Sequence, residues 1–154
     1  MTNLYSKVLS VLSGKTLVTA ESLTGGGIGA ALTSVSGASA VYKGGVISYT
    51  NAVKEQILGV HGDVLADCGA VSAPVAEAMA IGVRKLLDAD VAVSVTGLAG
   101  PGGDDFGNPV GTVFIGYVDD RQAVVKHCAF SGNRDEIRNQ TIETALQLVL
   151  EYNA

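Results

Sequence analysis

The chain has 154 residues, a length typical of one domain with a single buried core, and we predict that residues 1–154 form one domain. Its composition is 47% hydrophobic and 16% charged, with 20 glycines, which excludes a disordered chain and favours a compact α/β fold. The formal net charge is -5, and lysines and arginines never form a run longer than a pair, which argues against binding to nucleic acid or to an anionic membrane.

The N-terminal region and the cysteines exclude further classes of protein. Residues 1–15 mix polar and apolar side chains, unlike a signal peptide, and no stretch approaches 18 apolar residues. We therefore expect a cytoplasmic protein. Cys68 and Cys128 lie far apart and form no Cys-x-x-Cys pair, so neither a zinc site nor a disulfide framework is indicated. His61 and His127 are also isolated, and we expect both to be structural.

The chain opens with an amphipathic helix whose apolar side chains fall on one face: Leu4, Val8, Val11 and Leu12. Residues 17–20 then predict a short buried strand, and residues 27–32 can open a second helix after a glycine-rich turn. Ser22 lies between this strand and this helix. Because free amides at the start of a helix favour negative charge, we expect an oxyanion or a phosphate to be stabilised near Ser22.

The next two segments each pair a strand with a helix. Residues 46–49 predict a strand, after which Thr50 or Asn51 can cap a short helix running to Leu58, with Gly59 as its stop. Tyr49 and Lys54 therefore flank a junction between a strand and a helix.

A third helix follows, with Ser72 as its cap and Pro74 in its first turn. Residues 89–96 form a nearly continuous apolar run, which is typical of a strand buried on both faces. Thr96 stands at its carboxyl end. Residues 97–111 then contain six glycines and two prolines, a composition that predicts a sharply turning loop with uncovered amides, and hence a candidate binding loop.

The last segments predict an antiparallel hairpin and a long helix. Residues 112–118 and 122–130 alternate as two strands joined by a short turn. The final helix is predicted over Asn133 to Tyr152, because Asn133 and Glu136 have the spacing of a capping box. Together these elements predict a three-layer α/β/α sandwich around a mixed, mainly parallel sheet, with ligands bound beyond the carboxyl ends of its strands.

Four candidate side chains follow predicted strands or begin helices, so one sheet edge can gather them into a cleft: Ser22, Tyr49, Lys54 and Thr96. A serine needs a base to become a nucleophile, and a neutral lysine is the economical alternative to a histidine. Lys54 is placed in the first turn of its helix, where the dipole and partial burial would lower its pKa. Tyr49 could relay or orient the proton. Equally, Ser22 could cap a helix, and Lys54 could be a solvated surface residue.

Arg134 and Arg138 lie one turn apart at the start of the last helix, where cations oppose the helix dipole. A phosphate held between these arginines and the glycine-rich loops would resolve that conflict. Pairing with Asp135, Glu136 or other acids is an equally weighted alternative. Gly25, Gly27 and Ala30 also match the spacing of a dinucleotide-binding motif, although no acidic residue for a ribose precedes Glu55.

Six ordered blocks of the sequence closely resemble the CinA C-terminal domain family. The blocks are residues 20–26 (AESLTGG), 49–54 (YTNAVK) with 58–60 (LGV), 69–72 (GAVS), 96–103 (TGLAGPGG), 109–113 (PVGTV) and 130–134 (FSGNR). The resemblance implies a nicotinamide mononucleotide amidohydrolase of pyridine nucleotide salvage, which forms nicotinate mononucleotide and ammonia. It implies no metal and no cofactor, and a homodimer is expected.

The resemblance also implies roles for individual residues. Ser22 matches the family's serine nucleophile and Lys54 its lysine. Three further residues match positions associated with activation or substrate binding: Tyr49, Thr96 and Arg134. In this interpretation, amides at the start of the glycine-rich helix stabilise the oxyanion. We predict that the substrate, a pyridine mononucleotide, contacts Glu21, Thr24, Gly25, Gly26, Thr96, Gly97, Gly100, Arg134 and Arg138, the last from helix geometry.

Two departures and two alternatives accompany the resemblance. The N-terminal nucleotide-processing domain of longer CinA proteins is absent from the sequence, so no pyrophosphatase activity is expected. Leu23 stands where cysteine also occurs in the family, which could change the shape of the pocket. The competing hypotheses are a catalytically silent nucleotide-binding or regulatory domain and a nicotinamide dinucleotide-dependent oxidoreductase.

Overall fold

The computed structural model describes residues 2–154 and contains one mixed sheet in that part of the chain. Its strands are β1 (Leu17–Glu21), β2 (Tyr42–Ile47), β3 (Val91–Gly97), β4 (Thr112–Val118) and β5 (Ala123–Ala129). Their order across the sheet is β2-β1-β3-β4-β5. β1 pairs in parallel with β2 and β3, whereas β4 is antiparallel to both of its neighbours. Four of the strands therefore point the same way, and the predicted mixed sheet with its hairpin is confirmed.

Helices cover both faces of the sheet. They are α1 (Thr2–Val11), α2 (Gly27–Thr33), α3 (Asn51–Gln56), α4 (Gly62–Cys68), α5 (Ala73–Leu86) and α6 (Arg134–Asn153). α1, α2 and α6 pack together on one face, and α4 and α5 pack on the other. Side chains of β1 alternate between the two cores, with Leu17 in the first and Val18 and Ala20 in the second. The predicted three-layer α/β/α arrangement is thus confirmed.

The predicted capping box of α6 is present, since Asn133 Oδ1 accepts a hydrogen bond from the Glu136 amide and Glu136 Oε1 accepts one from the Asn133 amide. Other boundaries differ from the prediction. α3 ends at Gln56 instead of Leu58, and α4 was not predicted, because its cap His61 makes no side-chain capping bond. β2 begins earlier than expected, at Tyr42.

The functional edge of the sheet follows from strand direction. β1, β2 and β3 are parallel, so their carboxyl ends, at Glu21, Ile47 and Gly97, lie at one edge. β5 runs the same way, and α6 begins five residues after it, at Arg134. The predicted convergence of the strand ends at one edge is therefore confirmed.

Helix α5 closely approaches the main chain that follows α3. A Cβ atom at Gly82 would overlap the carbonyl oxygen of Leu58. In the same segment, the amide of Val60 donates a 3.1 Å hydrogen bond to the carbonyl of Lys54. The short helix that carries Lys54 is therefore held by packing against α5 as well as by its own hydrogen bonds.

Candidate active site

Ser22 and Lys54 meet at this edge of the sheet. The Nζ of Lys54 lies 3.2 Å from the Oγ of Ser22, although the two residues are 32 positions apart in the chain. The same Nζ donates a 2.7 Å hydrogen bond to the carbonyl of Ser48, the first residue after β2. A serine hydroxyl within hydrogen-bond reach of a lysine amine is the geometry of a nucleophile and its base.

Lys54 is almost completely buried, with 1% of its surface exposed. Burial lowers its pKa from the ordinary value of 10.5 to about 8, because an ammonium loses its hydration in the interior. No carboxylate forms an ion pair with Lys54 within residues 2–154. Of the two causes given from the sequence, burial is confirmed, whereas the helix dipole is not, because α3 is so short that Lys54 also lies in its last turn. The amine is neutral in a large fraction of molecules near pH 8.

The main chain after Ser22 forms a tight turn, residues 22–25, which we call the Ser22 turn. The amide of Gly25 donates a 3.1 Å hydrogen bond to the carbonyl of Ser22 and closes the turn. The amide of Ser22 itself donates to the carbonyl of Val95, in β3. Among residues 2–154, no acceptor is present for the amides of Leu23 and Thr24. Two main-chain donors beside the serine are thus free to bind an oxyanion.

The amides at the start of α2 are not free, which corrects the sequence-based assignment of the oxyanion site. The carboxylate of Glu21, with 2% of the residue exposed, accepts hydrogen bonds from the amides of Ile28 (2.8 Å) and Gly29 (3.0 Å). It also accepts a 2.6 Å bond from the hydroxyl of Thr24. Both Glu21 and Thr24 therefore hold the turn and the helix together, and their side chains are not available for the predicted contacts with substrate.

A cavity of about 340 Å³ opens beside the Ser22 turn. Its lining consists of Leu23, Tyr49, residues 97–102 and Arg134. Three predicted substrate-binding residues, Gly97, Gly100 and Arg134, are therefore part of one cavity. Leu23 belongs to the lining and immediately follows Ser22, so the cavity lies next to the turn. Its volume is of the order found for small-molecule sites.

Arg134 joins two walls of this cavity. Its Nη1 donates a 2.6 Å hydrogen bond to the carbonyl of Gly100, and its Nη2 donates a 3.2 Å bond to the hydroxyl of Tyr49. Tyr49 is 59% exposed, and among the described residues its hydroxyl bonds to neither Ser22 nor Lys54. The predicted proton relay through Tyr49 therefore has no support in this geometry, which instead makes Tyr49 a cavity wall.

The remaining predicted site residues serve the fold around the cavity. The hydroxyl of Thr96 donates a 2.8 Å bond to the carbonyl of Ala70, so it is not directed at a ligand. Arg138 donates to two carbonyls of the Ser22 turn, which corrects its predicted role as a phosphate ligand. Gly25 has a φ of +58°, which glycine adopts without strain. Gly26 lines a separate cavity that also includes Glu21.

Sequence reasoning did not identify Ser48 as part of the site. Its contribution is a main-chain carbonyl, which every residue type carries, so no residue pattern could have identified it. Leu23 was noted only as a departure from the family pattern, yet it lines the cavity. A large apolar residue directly after the candidate nucleophile was the available signal for that role.

A family model described as the CinA C-terminal domain matches residues 2–153. The chain belongs to the CinA C-terminal domain family. A CinA-like protein of Synechococcus sp. (strain CC9311) is 59% identical over 115 residues, which are 73% of this chain and 27% of that protein. A CinA-like protein of Citrifermentans bemidjiense is 46% identical over 140 residues, or 91% of this chain and 34% of that protein.

This CinA-family chain thus spans about a third of the length of the curated relatives it matches. Solved structures of similar size share its fold. The competence or damage-inducible protein from Enterobacter asburiae has a TM-score of 0.97 and 30% identity, covering 99% of this chain and 98% of that one. The competence/damage inducible protein CihA from Agrobacterium tumefaciens has a TM-score of 0.95 and 37% identity, covering 99% and 95%.

No helix of residues 2–154 combines the length and the hydropathy of a bilayer-spanning segment. In the same residues, His, Cys, Asp and Glu side chains form no group of three or more placed to share a metal ion.

Proposed function

We propose that this chain hydrolyses the carboxamide of nicotinamide mononucleotide to nicotinate mononucleotide and ammonia, in pyridine nucleotide salvage. The observation that carries the proposal is the 3.2 Å contact between the buried amine of Lys54 and the hydroxyl of Ser22. Family membership and the adjacent cavity support it. The substrate comes from the family resemblance, and the reaction type comes from the chemistry of the two side chains.

In the acylation step, the neutral Nζ of Lys54 takes the proton of Ser22 while Oγ forms a bond to the carboxamide carbon. The electron pair of the C=O bond moves to oxygen, and the free amides of Leu23 and Thr24 stabilise that oxyanion. Lys54 then returns its proton to the amide nitrogen as the C–N bond breaks. Ammonia leaves, and Ser22 carries the pyridine carboxyl group as an ester.

In the deacylation step, water attacks the ester carbon and loses a proton to Lys54. The ester C–O bond breaks, and Ser22 regains its proton from Lys54. The new carboxylic acid of nicotinate mononucleotide loses its remaining proton to solvent, and the product leaves as a carboxylate while Lys54 is again neutral. The carbonyl of Ser48 accepts a hydrogen bond from Lys54 and keeps the amine oriented through both steps.

The phosphate of the mononucleotide is assigned to Arg134. This guanidinium lies at the cavity wall, is exposed, and uses only part of its donor capacity on Gly100 and Tyr49. The amides of Gly100 and Gly102, which line the cavity and have no acceptor among the described residues, supply further donors beside it. We also propose, from the family resemblance, that the chain acts as a homodimer, which light scattering of the purified protein will test.

An ammonia-release assay tests the proposed function. Wild-type protein is expected to release ammonia from nicotinamide mononucleotide, and more slowly from nicotinamide riboside. The nicotinamide dinucleotide is assayed for comparison. Ser22→Ala and Lys54→Met should each lower the rate at least about 10³-fold while circular dichroism shows a retained fold. Lys54→Arg should be equally inactive, because a guanidinium does not become neutral in proteins.

Two results would refute this assignment. Full activity in any of these variants would exclude the Ser22–Lys54 pair as the reacting groups. Binding of the mononucleotide by calorimetry without any ammonia release would instead identify a catalytically silent nucleotide-binding domain of the same fold.

A further inference from the structure

Arg138 contacts the Ser22 turn from α6, more than a hundred residues away in the chain. Its Nε donates a 2.9 Å hydrogen bond to the carbonyl of Leu23, and its Nη2 donates a 3.2 Å bond to the carbonyl of Thr24. These are two successive carbonyls, and both belong to the peptide groups that follow the candidate nucleophile. The remaining nitrogen, Nη1, lies 3.8 Å from Asp135 on the same helix. Arg138 is absent from the lining of the cavity.

The two hydrogen bonds determine where the neighbouring amides point. In a trans peptide group, the C=O and the following N–H point in opposite directions. Because the carbonyls of Leu23 and Thr24 face Arg138, the amides of Thr24 and Gly25 point away from it. The Gly25 amide reaches the carbonyl of Ser22. The Thr24 amide has no acceptor within residues 2–154.

The direction of the Thr24 amide suits it to donate a hydrogen bond to an oxyanion formed on Ser22. In a turn, the amide two residues after a serine is the donor that the serine's own side chain can reach. The Thr24 amide, which has no acceptor within residues 2–154, is therefore a donor on this turn available to an oxygen on a carbon bonded to Ser22 Oγ. This amide is held in place by Arg138 alone on its carbonyl side, since Leu23 O accepts from no other group in the described part of the chain.

We propose that Arg138 is a positioning residue. Its hydrogen bonds to the carbonyls of Leu23 and Thr24 orient the Thr24 amide towards the oxyanion formed on Ser22. The inference rests on the proposed role of Ser22 as nucleophile and goes beyond it by assigning the residue that orients one of the two oxyanion donors. Arg138 touches no substrate. It acts only through the main chain of the Ser22 turn.

The chemistry of the guanidinium suits this role. Its planar fork presents two N–H donors at a fixed spacing, which matches two successive carbonyls, whereas a lysine offers a single point of contact. A charged donor on a carbonyl also polarises its peptide group and strengthens the N–H on the other side. Arg138 therefore both orients and activates the Thr24 amide.

The test measures the reactivity of Ser22 with a fluorophosphonate, which does not require the proposed substrate. Ser22 Oγ forms a bond to phosphorus, the P–F bond breaks, fluoride leaves, and the serine proton passes to Lys54. The P=O oxygen gains negative charge in this step and needs the same donors as a carboxamide oxyanion. The variants are Arg138→Met and Arg138→Lys, with Asn139→Ala, at an exposed neighbour on α6, as the matched control.

We expect the phosphonylation rate of Arg138→Met to fall about 100-fold and that of Arg138→Lys about tenfold, because a small displacement of a donor has effects of this size. The pH at which the rate is half-maximal should not change, since Lys54 keeps its surroundings. With nicotinamide mononucleotide, kcat should fall by similar factors while KM stays within about threefold, because a donor to the oxyanion acts in the transition state. Asn139→Ala should behave as wild type.

Several results would overturn the inference. The first is a phosphonylation rate within about threefold of wild type in both Arg138 variants. The second is a rise in KM for nicotinamide mononucleotide with unchanged kcat. The third is a shift in the pH at which the rate is half-maximal, which would place the effect on Lys54. If Arg138→Met does not fold, Arg138→Lys, which keeps the charge, decides. If the wild-type chain reacts with the fluorophosphonate but releases no ammonia, the proposed substrate is refuted and the role of Arg138 can still be tested. If it neither reacts with the fluorophosphonate nor releases ammonia, both the proposed function and the role of Arg138 are refuted.

Discussion

The carbonyl of Ser48 accepts a 2.7 Å hydrogen bond from the Nζ of Lys54, and no carboxylate takes its place within the described residues. A neighbouring carboxylate would keep the lysine charged, since opposite charges favour the ionised form. A carbonyl orients the amine without holding its proton. Burial then lowers the pKa to about 8, so the amine is available as a base close to neutral pH.

The activity of the wild-type protein should depend on the protonation of Lys54. Only the neutral amine can accept the serine proton, so kcat/KM should rise about tenfold per pH unit below pH 8 and level off above it. Ammonia release measured across this range, with stability checked at each pH, provides the profile. A rate that is flat through pH 8 would show that Lys54 is not the base.

Removing the buried amine should stabilise the fold. Between the folded-state pKa of about 8 and the ordinary value of 10.5, the unfolded chain binds more protons, so this group makes stability rise with pH. Below pH 8 the full cost of burying the ammonium remains, and Lys54→Met should raise the free energy of unfolding by about 1–3 kcal/mol.

Urea unfolding of both proteins at several pH values checks this expectation. The difference between wild type and Lys54→Met should shrink as pH rises from 8 towards 10.5. Groups common to both proteins cancel in the comparison. A difference that does not change with pH would contradict the lowered pKa.

Arg134 should act on substrate binding through the phosphate. Arg134→Met is expected to raise KM for nicotinamide mononucleotide about 10- to 100-fold, because charge-assisted bonds to phosphate are lost. The effect on nicotinamide riboside, which lacks the phosphate, should be small. Arg121→Met, in the turn between β4 and β5 at the opposite edge of the sheet, is the control. Equal losses with both substrates would assign Arg134 to the architecture of the cavity and not to the phosphate.

Glu21 should contribute mainly to stability. Glu21→Gln keeps the shape of the side chain, but the amides of Ile28 and Gly29 donate to different oxygens of the carboxylate, and the NH₂ group that replaces one of these oxygens cannot accept its bond. We expect the free energy of unfolding to fall by about 2–3 kcal/mol, since bonds to a charged acceptor are strong and the site is buried. Thermal unfolding compared with Glu77→Gln, on the exposed surface of α5, measures this loss. An unchanged transition would show that the carboxylate is not needed there.

Local signals explain which parts of the molecule could be predicted. The hairpin and the start of α6 depend on residues close together in the chain, namely alternating strands and the capping pair Asn133 and Glu136. Helix α4 escaped prediction because it is short and begins with a glycine after a residue that gives no capping bond. Its position depends on packing against α5, which no local pattern contains.

In the candidate site, too, the contacts that depend on tertiary packing could not be predicted from local sequence patterns. A negative charge at the start of α2 was correctly anticipated from the helix dipole, but the carboxylate of Glu21 supplies it in place of a ligand. The contact of Arg138 with Leu23 spans 115 positions and involves a carbonyl, so no residue pattern records it. The pair Ser22 and Lys54 was proposed from the strand ends and was also implied by the family resemblance, whereas the near-complete burial that lowers the pKa of Lys54 depends on packing that no local pattern records.

The absence of a side chain at Gly82 links the position of Lys54 in the candidate site to the packing of α5. A methyl group there would press against the Leu58 carbonyl and displace the segment that is bonded back to Lys54. Proton transfer is steeply sensitive to distance, so a shift of a few tenths of an ångström would be felt as a change in rate. Changes in the packing between α5 and this segment are therefore expected to move Lys54 as well as to alter the stability of the fold.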